Sequence, residues 1–198
     1  MTARRRMRQP PLNLQTMGHM FVGGRIDRSA KGKPMTGQMY AEYFFPRRLK
    51  SPYPVVMIHG GFQTGTNFTG TPDGREGWAQ YFLRRGRAVY VVDQVARGRS
   101  AHCRQCHGAV TAPDLDFTLL RFVSPRYYAR WPQARRHTQW PGKGKVNDRI
   151  FDAFYATQFP SLTNYPKQQA LNRDAIVALL DRIGPAVLLV HSQSGAFA

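Results

Sequence analysis

At 198 residues, with 42% hydrophobic and 12% aromatic residues, the chain is long enough for one domain with its own core, and disorder throughout is excluded. No stretch approaches roughly 18 uninterrupted apolar residues, so a membrane-spanning helix is excluded as well. The formal net charge of +18 raises the question of a nucleic-acid partner. Its arginines, however, are dispersed over the chain with no recognisable binding module around them. A solvated basic surface with no nucleic-acid partner is expected.

Residues 1–18 read as a basic mobile arm, since Pro10-Pro11 and scattered polar residues carry neither a strand nor a helix period. The Arg-rich opening is followed by no apolar segment, which makes a cytoplasmic location the expectation and an organelle transit peptide the minor alternative. The domain is expected over 19–198. His19 to Ile26 and Gly37 to Phe45 are β-rich runs separated by the turn-forming Ser29 to Pro34, and they read as an antiparallel pair.

Tyr53 to Ile58 is a short apolar run of the kind buried on both faces of a sheet. It ends in His59-Gly60-Gly61, where the absence of a side chain can present the Gly61 backbone N–H as an oxyanion donor. The polar loop from Phe62 to Gly74 lacks the Lys-Ser/Thr ending of a phosphate-binding loop. Trp78, Tyr81 and Phe82 fall at i, i+3 and i+4 and predict a short helix over Gly77 to Arg85 with an aromatic core face, closed by Gly86. Arg87 to Asp93 is the next buried strand, completing a right-handed parallel unit, with Asp93 read as a structural acid for loop N–H groups.

From residue 101 to about 166, prolines interrupt any regular pattern and aromatic residues recur. This stretch is expected to be a mainly helical insertion covering the C-terminal edge of the sheet. Within it, Cys103, Cys106 and His107 spell the attachment signature of a c-type haem. The match is read as coincidence, because no export signal or small helical haem fold surrounds it, and a redox or lone metal pair is the remaining option. No second Cys/His pair completes a zinc site, and neither a metal nor a cofactor is expected. Leu171, Ala175, Ile176, Leu179, Leu180 and Ile183 then form a helical stripe over Lys167 to Ile183, stopped by Gly184-Pro185.

Ala186 to Val190 is a buried strand that ends abruptly in His191-Ser192-Gln193-Ser194-Gly195. A run of branched apolar residues meeting small residues is how a strand turning sharply into a helix is written, and a serine at such a bend is lifted clear of the backbone as a nucleophile. The letters permit Ser192 or Ser194. Ser192 is preferred because it directly follows the strand, leaving Ser194-Gly195 as the small pair at the helix start.

Taken together, the His59-Gly60-Gly61 strand end, Thr71 to Trp78, Asp93 to Ser100 and His191 to Gly195 resemble the α/β-hydrolase superfamily, and more narrowly a bacterial esterase-like group within it. The resemblance runs from about Gly18 to Ala198. It implies a mostly parallel sheet with an N-terminal antiparallel pair and a helical insertion. It also implies a serine hydrolase acting on small ester-like substrates. It makes Ser192 the nucleophile, with the backbone N–H groups of Gly61 and Gln193 as the oxyanion hole. Val190 and Ala96 depart from the family pattern, which favours a small residue and a glycine at those positions. In this family the acid and the histidine follow the nucleophile, and neither His191 nor His59 is a credible base. The chain is therefore expected to be truncated after the elbow, with little activity alone, the alternative being a catalytically dead interaction protein of the same fold.

Overall fold

In the computed structural model, which describes residues 9–198, five strands form one sheet, ordered as the first, second, fourth, third and seventh strands along the chain. β1 (Leu14–Ile26) and β2 (Met35–Pro46) are an antiparallel hairpin. Their connection is fixed by Asp27, whose N–H donates to the Pro34 carbonyl at 2.9 Å and whose carboxylate accepts from the Ser29 N–H at 3.0 Å. β1 starts before His19, so Leu14 to Gly18 are strand and not part of a mobile arm, while residues 1–8 of that expected arm lie outside the described residues.

β3 (Val55–Ile58) and β4 (Val89–Asp93) run parallel, joined through the short helices α1 (Thr66–Thr69) and α2 (Trp78–Arg84). Alternation along β3 feeds two separate cores, as a strand buried on both faces must. Val56 and Ile58 join Val92, Ala175, Ile176 and Leu179 on one side, while Val55 and Met57 join Phe68, Ala79, Leu83 and Val91 on the other.

The aromatic core face expected for α2 is corrected by the structure. Trp78 and Tyr81 are 60% and 50% exposed, and the helix buries Ala79 and Leu83 instead. Gly77, at the head of the helix, abuts α1, where a Cβ would lie 2.2 Å from the Phe68 carbonyl oxygen, and Ala79 and Leu83 join Phe68 in the core on that side.

The stretch after β4 carries α3 (Arg104–His107), β5 (Val110–Thr111), α4 (Leu115–Thr118), α5 (Pro125–Tyr128), α6 (Arg149–Tyr155) and β6 (Ser161–Leu162). A π-helical turn at Leu119–Val123 and a 3-10 turn at Pro132–Arg136 complete it. It has a small core of its own, Leu119, Val123 and Phe151, backed by Trp140, Phe154 and Tyr155. Helix α7 (Tyr165–Ile183) is capped by Asn164, whose side chain accepts from the Lys167 N–H at 2.9 Å, and it lays Ala175, Ile176 and Leu179 on the sheet. β7 (Val187–Val190) then pairs parallel with β3 at the sheet edge. Because that edge is open, Val187 and Val190 are 47% and 39% exposed, in contrast to the buried strand expected.

Candidate active site at the C-terminal rim of the sheet

The rim is built where β3, β4 and β7 end. Past Ile58 the chain enters His59-Gly60-Gly61, with His59 and Gly60 buried and Gly61 half-buried. His59 takes no part as a base. Its Nε2 accepts from the Gln94 N–H at 3.0 Å, which leaves the proton on Nδ1, and Nδ1 donates to the Gly60 carbonyl at 2.9 Å. Complete burial, and after it the charge of Arg97, push its pKa down to about 3, so the ring is neutral throughout the physiological range.

Past Val190 the chain turns into a 3-10 turn, Ser192–Ala196, where a helix start was expected. Ser192 adopts φ +56°, the left-handed region that a side chain enters only under strain, and its hydroxyl is exposed with no hydrogen-bond partner among the described residues. Ser194 is the opposite case. It is fully buried, accepts from the His191 N–H at 2.8 Å and lies 2.9 Å from the Ile58 carbonyl and 3.0 Å from the His191 carbonyl, to which it donates. Of the two serines that the letters allowed, Ser192 presents a free hydroxyl and Ser194 is a fastening. Val190, the bulky residue before the turn, is accommodated because it sits at the open edge.

The two glycine positions and the turn meet directly. A Cβ on Gly60 would lie 3.0 Å from His191 Nδ1 and 3.1 Å from the Ser192 Cβ, so any side chain there would push the loop and the turn apart by a few tenths of an ångström. A Cβ on Gly61 would lie 3.7 Å from Gln193 Oε1. Gly61, Ser192 and Gln193 are thus brought together, and no imidazole nitrogen among the described residues hydrogen-bonds the Ser192 hydroxyl.

Beneath them lies a buried polar network that the sequence pattern did not disclose. Arg97, 3% exposed, donates from Nη1 to the Gly60 carbonyl at 2.9 Å, and from Nη2 to Gln193 Oε1 at 3.3 Å and to the Ser161 hydroxyl. Gln168 donates to Gln94 Oε1 at 3.0 Å and to Gln193 Oε1 at 3.4 Å. Gln94 in turn donates to the His59 carbonyl at 2.6 Å, and Asn172 accepts from the Val95 N–H at 2.8 Å. Gln168 and Asn172 are four apart on α7 and extend its apolar stripe as a polar stripe toward the rim. That i, i+4 spacing was the available signal.

On the far side of the rim, Asp93 is 1% exposed and caps two loops. It accepts from the Gly65 N–H at 2.7 Å, the Arg99 N–H at 2.9 Å and Arg99 Nε at 2.8 Å. Burial pushes its pKa up, but the hydrogen bonds from Arg99 and Gly65 outweigh it and hold the carboxyl below its ordinary value. Ala96, where the family pattern has glycine, adopts φ +63°, the left-handed conformation for which glycine is suited.

Cys103 and Cys106 are joined in a disulfide, and His107 is buried with both ring nitrogens engaged, Nε2 with Thr36 Oγ1 at 2.8 Å and Nδ1 accepting from the Cys103 N–H at 3.0 Å. The cysteines and the histidine of the haem-like letters are therefore all occupied within the protein. They fasten the loop after β4 to the start of β2.

No family model matches the chain. It is 46% identical over 177 residues to the probable secreted lipase phiG of a fungal species, an alignment that covers 89% of this chain and 46% of that protein. The fold superposes on the atomic-resolution structure of a novel bacterial esterase with a TM-score of 0.71 and 31% identity, covering 95% of this chain and 63% of that one. The chain spans about half the length of the curated relative it matches. In sequence and in fold it resembles the esterase-like group of α/β-hydrolases, and its sheet has the N-terminal antiparallel pair and the parallel strands β4, β3 and β7 expected of that α/β fold. The expectation of a cytoplasmic location is overturned, because the relative aligned over most of this chain is named a secreted protein.

Proposed function

We propose that this α/β-hydrolase of esterase-like kind uses Ser192 as the nucleophile of ester hydrolysis. The observation that carries the reading is Ser192 itself, a non-glycine residue at φ +56° with an unpartnered, exposed hydroxyl, set against the glycine loop after β3. In the proposed reaction the Ser192 oxygen attacks the ester carbonyl. The backbone N–H groups of Gly61 and Gln193 hold the oxygen that becomes negative in the tetrahedral intermediate. Collapse expels the alcohol and leaves an acyl-serine, which water then hydrolyses through a second tetrahedral intermediate.

The proton acceptor is not His59, which is locked neutral, nor His191, which makes no hydrogen bond to Ser192. The relatives are longer than the region matched, and we assign the base and its orienting acid to that remaining length. We assign to the 101–166 stretch the role of a lid and to the lipid-like part of the substrate a place beneath it. Its exposed Phe117, Phe122, Tyr127 and Tyr128 support this. The Cys103–Cys106 disulfide and the secreted relative support export of the protein to an oxidising compartment.

A fluorophosphonate probe applied to the full chain tests the nucleophile. Covalent labelling is expected to map to Ser192 by peptide mass spectrometry and to vanish in Ser192→Ala. Labelling that persists in that variant, or a full chain that takes up no label at all, would defeat the proposal, the latter outcome favouring an inactive protein of this fold.

A further inference from the structure

Most of the basic residues of this chain are at its surface, but Arg97 is buried to 3% exposure, and no carboxylate among the described residues lies within ion-pair distance of it. Its partners are all neutral: the Gly60 carbonyl, the Gln193 side-chain oxygen and the Ser161 hydroxyl, with Nε buried and unpartnered. Asp93, whose charge acts on Arg97, is already engaged by Arg99 and Gly65. A guanidinium held without a counter-ion is costly, and a neutral donor would satisfy the same acceptors at lower cost. Burial accordingly lowers the Arg97 pKa to about 10, which still leaves it charged at neutral pH.

We infer that Arg97 is a positioning residue for the oxyanion hole. One guanidinium fastens both halves of the hole and supplies the positive field into which the negative charge of the tetrahedral intermediate develops. The inference rests on the assignment of Ser192 as nucleophile. Its geometry is simple. In a trans peptide the C=O and the following N–H point in opposite directions, so Arg97 holding the Gly60 carbonyl on the buried side turns the Gly61 N–H away from itself. The second terminal nitrogen, with Gln168, holds the side chain of Gln193, the residue whose backbone N–H is the other donor. An ester carbonyl in the ground state carries no net charge and gains little from this field. The oxyanion gains much, and interactions that strengthen only in the transition state are those that raise kcat. The buried His59 next to the Gly60 carbonyl stays neutral beside this cation, so Arg97 is the unpaired charge at the hole.

The test is made in the protein that includes the region assigned to the base, with hydrolysis of a soluble p-nitrophenyl ester and inhibition by a trifluoromethyl ketone, which forms a tetrahedral adduct on the serine. Arg97→Gln is expected to lower kcat/KM and ketone affinity together by about 100-fold, with KM within a factor of about three, and Arg97→Lys to lose about tenfold in both. Circular dichroism and thermal melting establish the fold of each variant. Should Arg97→Gln fail to fold, Arg97→Lys and Gln193→Met carry the test, the latter cutting the contact to the guanidinium while leaving the backbone donor. Undiminished ketone affinity in a folded Arg97 variant overturns the inference, as does a rise in KM with kcat unchanged. Ser192→Ala separates the two ideas: hydrolysis surviving in it removes the nucleophile assignment. Hydrolysis lost there, with ketone affinity intact in the Arg97 variants, removes this inference alone.

Discussion

Arg97 and Arg99 stand two residues apart on the same loop, yet the two sides of the rim they serve are built on different principles. On the Arg99 side every charge is answered: Asp93 is met by Arg99 Nε and by two backbone N–H groups, and Arg99 reaches on to Glu42 at 3.0 Å. Pairing with these acids raises the Arg99 pKa despite its partial burial, and lowers that of Asp93 despite its own. On the Arg97 side a cation faces only neutral dipoles, and the groups around it are amides, hydroxyls and a neutral imidazole. Charges compensated in the resting protein hold a loop in place. On the proposed reading, the charge left uncompensated beside Ser192 is held ready for a negative charge that appears only during reaction.

The difference should be largest when the compensated side is broken. Asp93→Asn removes the charge that Arg99 answers while keeping the shape of the side chain. The expected loss is about 3 kcal/mol of folding stability, since the neutral amide weakens the charge-assisted bonds that the buried carboxylate accepts from Gly65 and Arg99, although Arg99 keeps Glu42. Urea denaturation monitored by tryptophan fluorescence measures it. A loss below about 1 kcal/mol, the level of an exposed ion pair, would mean that the pair at Asp93 contributes no more than a surface contact.

A second effect, spread over several pH units, should appear on the uncompensated side as acid is added. The His59 pKa is depressed from its ordinary 6.5 to about 3 in the folded protein. The unfolded chain therefore takes up a proton near pH 6.5 that the folded chain refuses. The sign follows: stability is unaffected by this ring above pH 6.5 and falls as pH drops from 6.5 toward 3. The slope reaches about 1.4 kcal/mol per pH unit. His107, depressed to about 4 by burial and then by His102 and Lys167, acts in the same direction. Asp93, with a pKa below its ordinary 3.8, loses its contribution only at still lower pH, and Glu76, lowered from 4.5 by Arg84, only below about pH 5, so the interval from pH 6.5 to about 5 isolates the imidazoles. A urea midpoint that stays level between pH 7.5 and about 5 would show that both rings take up protons in the folded state.

The same contrast explains what could be read from the letters. Val55 to Ile58, Val89 to Asp93 and the α7 stripe announce themselves because burial on two faces, or on one helical face, imposes a local pattern. The tight turn at Ser192 and the glycine loop before it were legible for a related reason, since the turn and the close approach at Gly60 favour small residues at particular positions. The Arg97 network was not, because its members are joined across the chain: Arg97 and Gln193 are 96 residues apart, and Gln94 and Gln168 are 74 apart. Long-range hydrogen bonds leave no period. Trp78 and Tyr81 show the converse failure, for their spacing fits a core face as well as Ala79 and Leu83 do, and only the packing beside Phe68 tells the two apart. The cysteine letters likewise fit haem attachment and a disulfide equally, and the bond between Cys103 and Cys106 is a matter of compartment as much as of sequence.

The smallest effect belongs to Ser194, and it bears on which serine reacts. Its hydroxyl accepts from the His191 N–H and donates toward the Ile58 or His191 carbonyl, all neutral hydrogen bonds within the turn. Ser194→Ala should therefore cost about 1 kcal/mol, the net worth of such bonds plus the penalty of an N–H left without its partner. It should leave fluorophosphonate labelling at Ser192 in place at a somewhat reduced rate, because the turn is loosened and the attacking oxygen is not removed. The two substitutions, two residues apart, thus separate by kind. Ser192→Ala should abolish labelling with little change in stability, since its hydroxyl has no partner to lose, whereas Ser194→Ala should lower stability and spare the label. The reverse pattern would place the nucleophile at Ser194. That would require its buried hydroxyl to leave the Ile58 carbonyl before it could reach a substrate, and the turn held by the bond between Ser194 and the His191 N–H would have to open first.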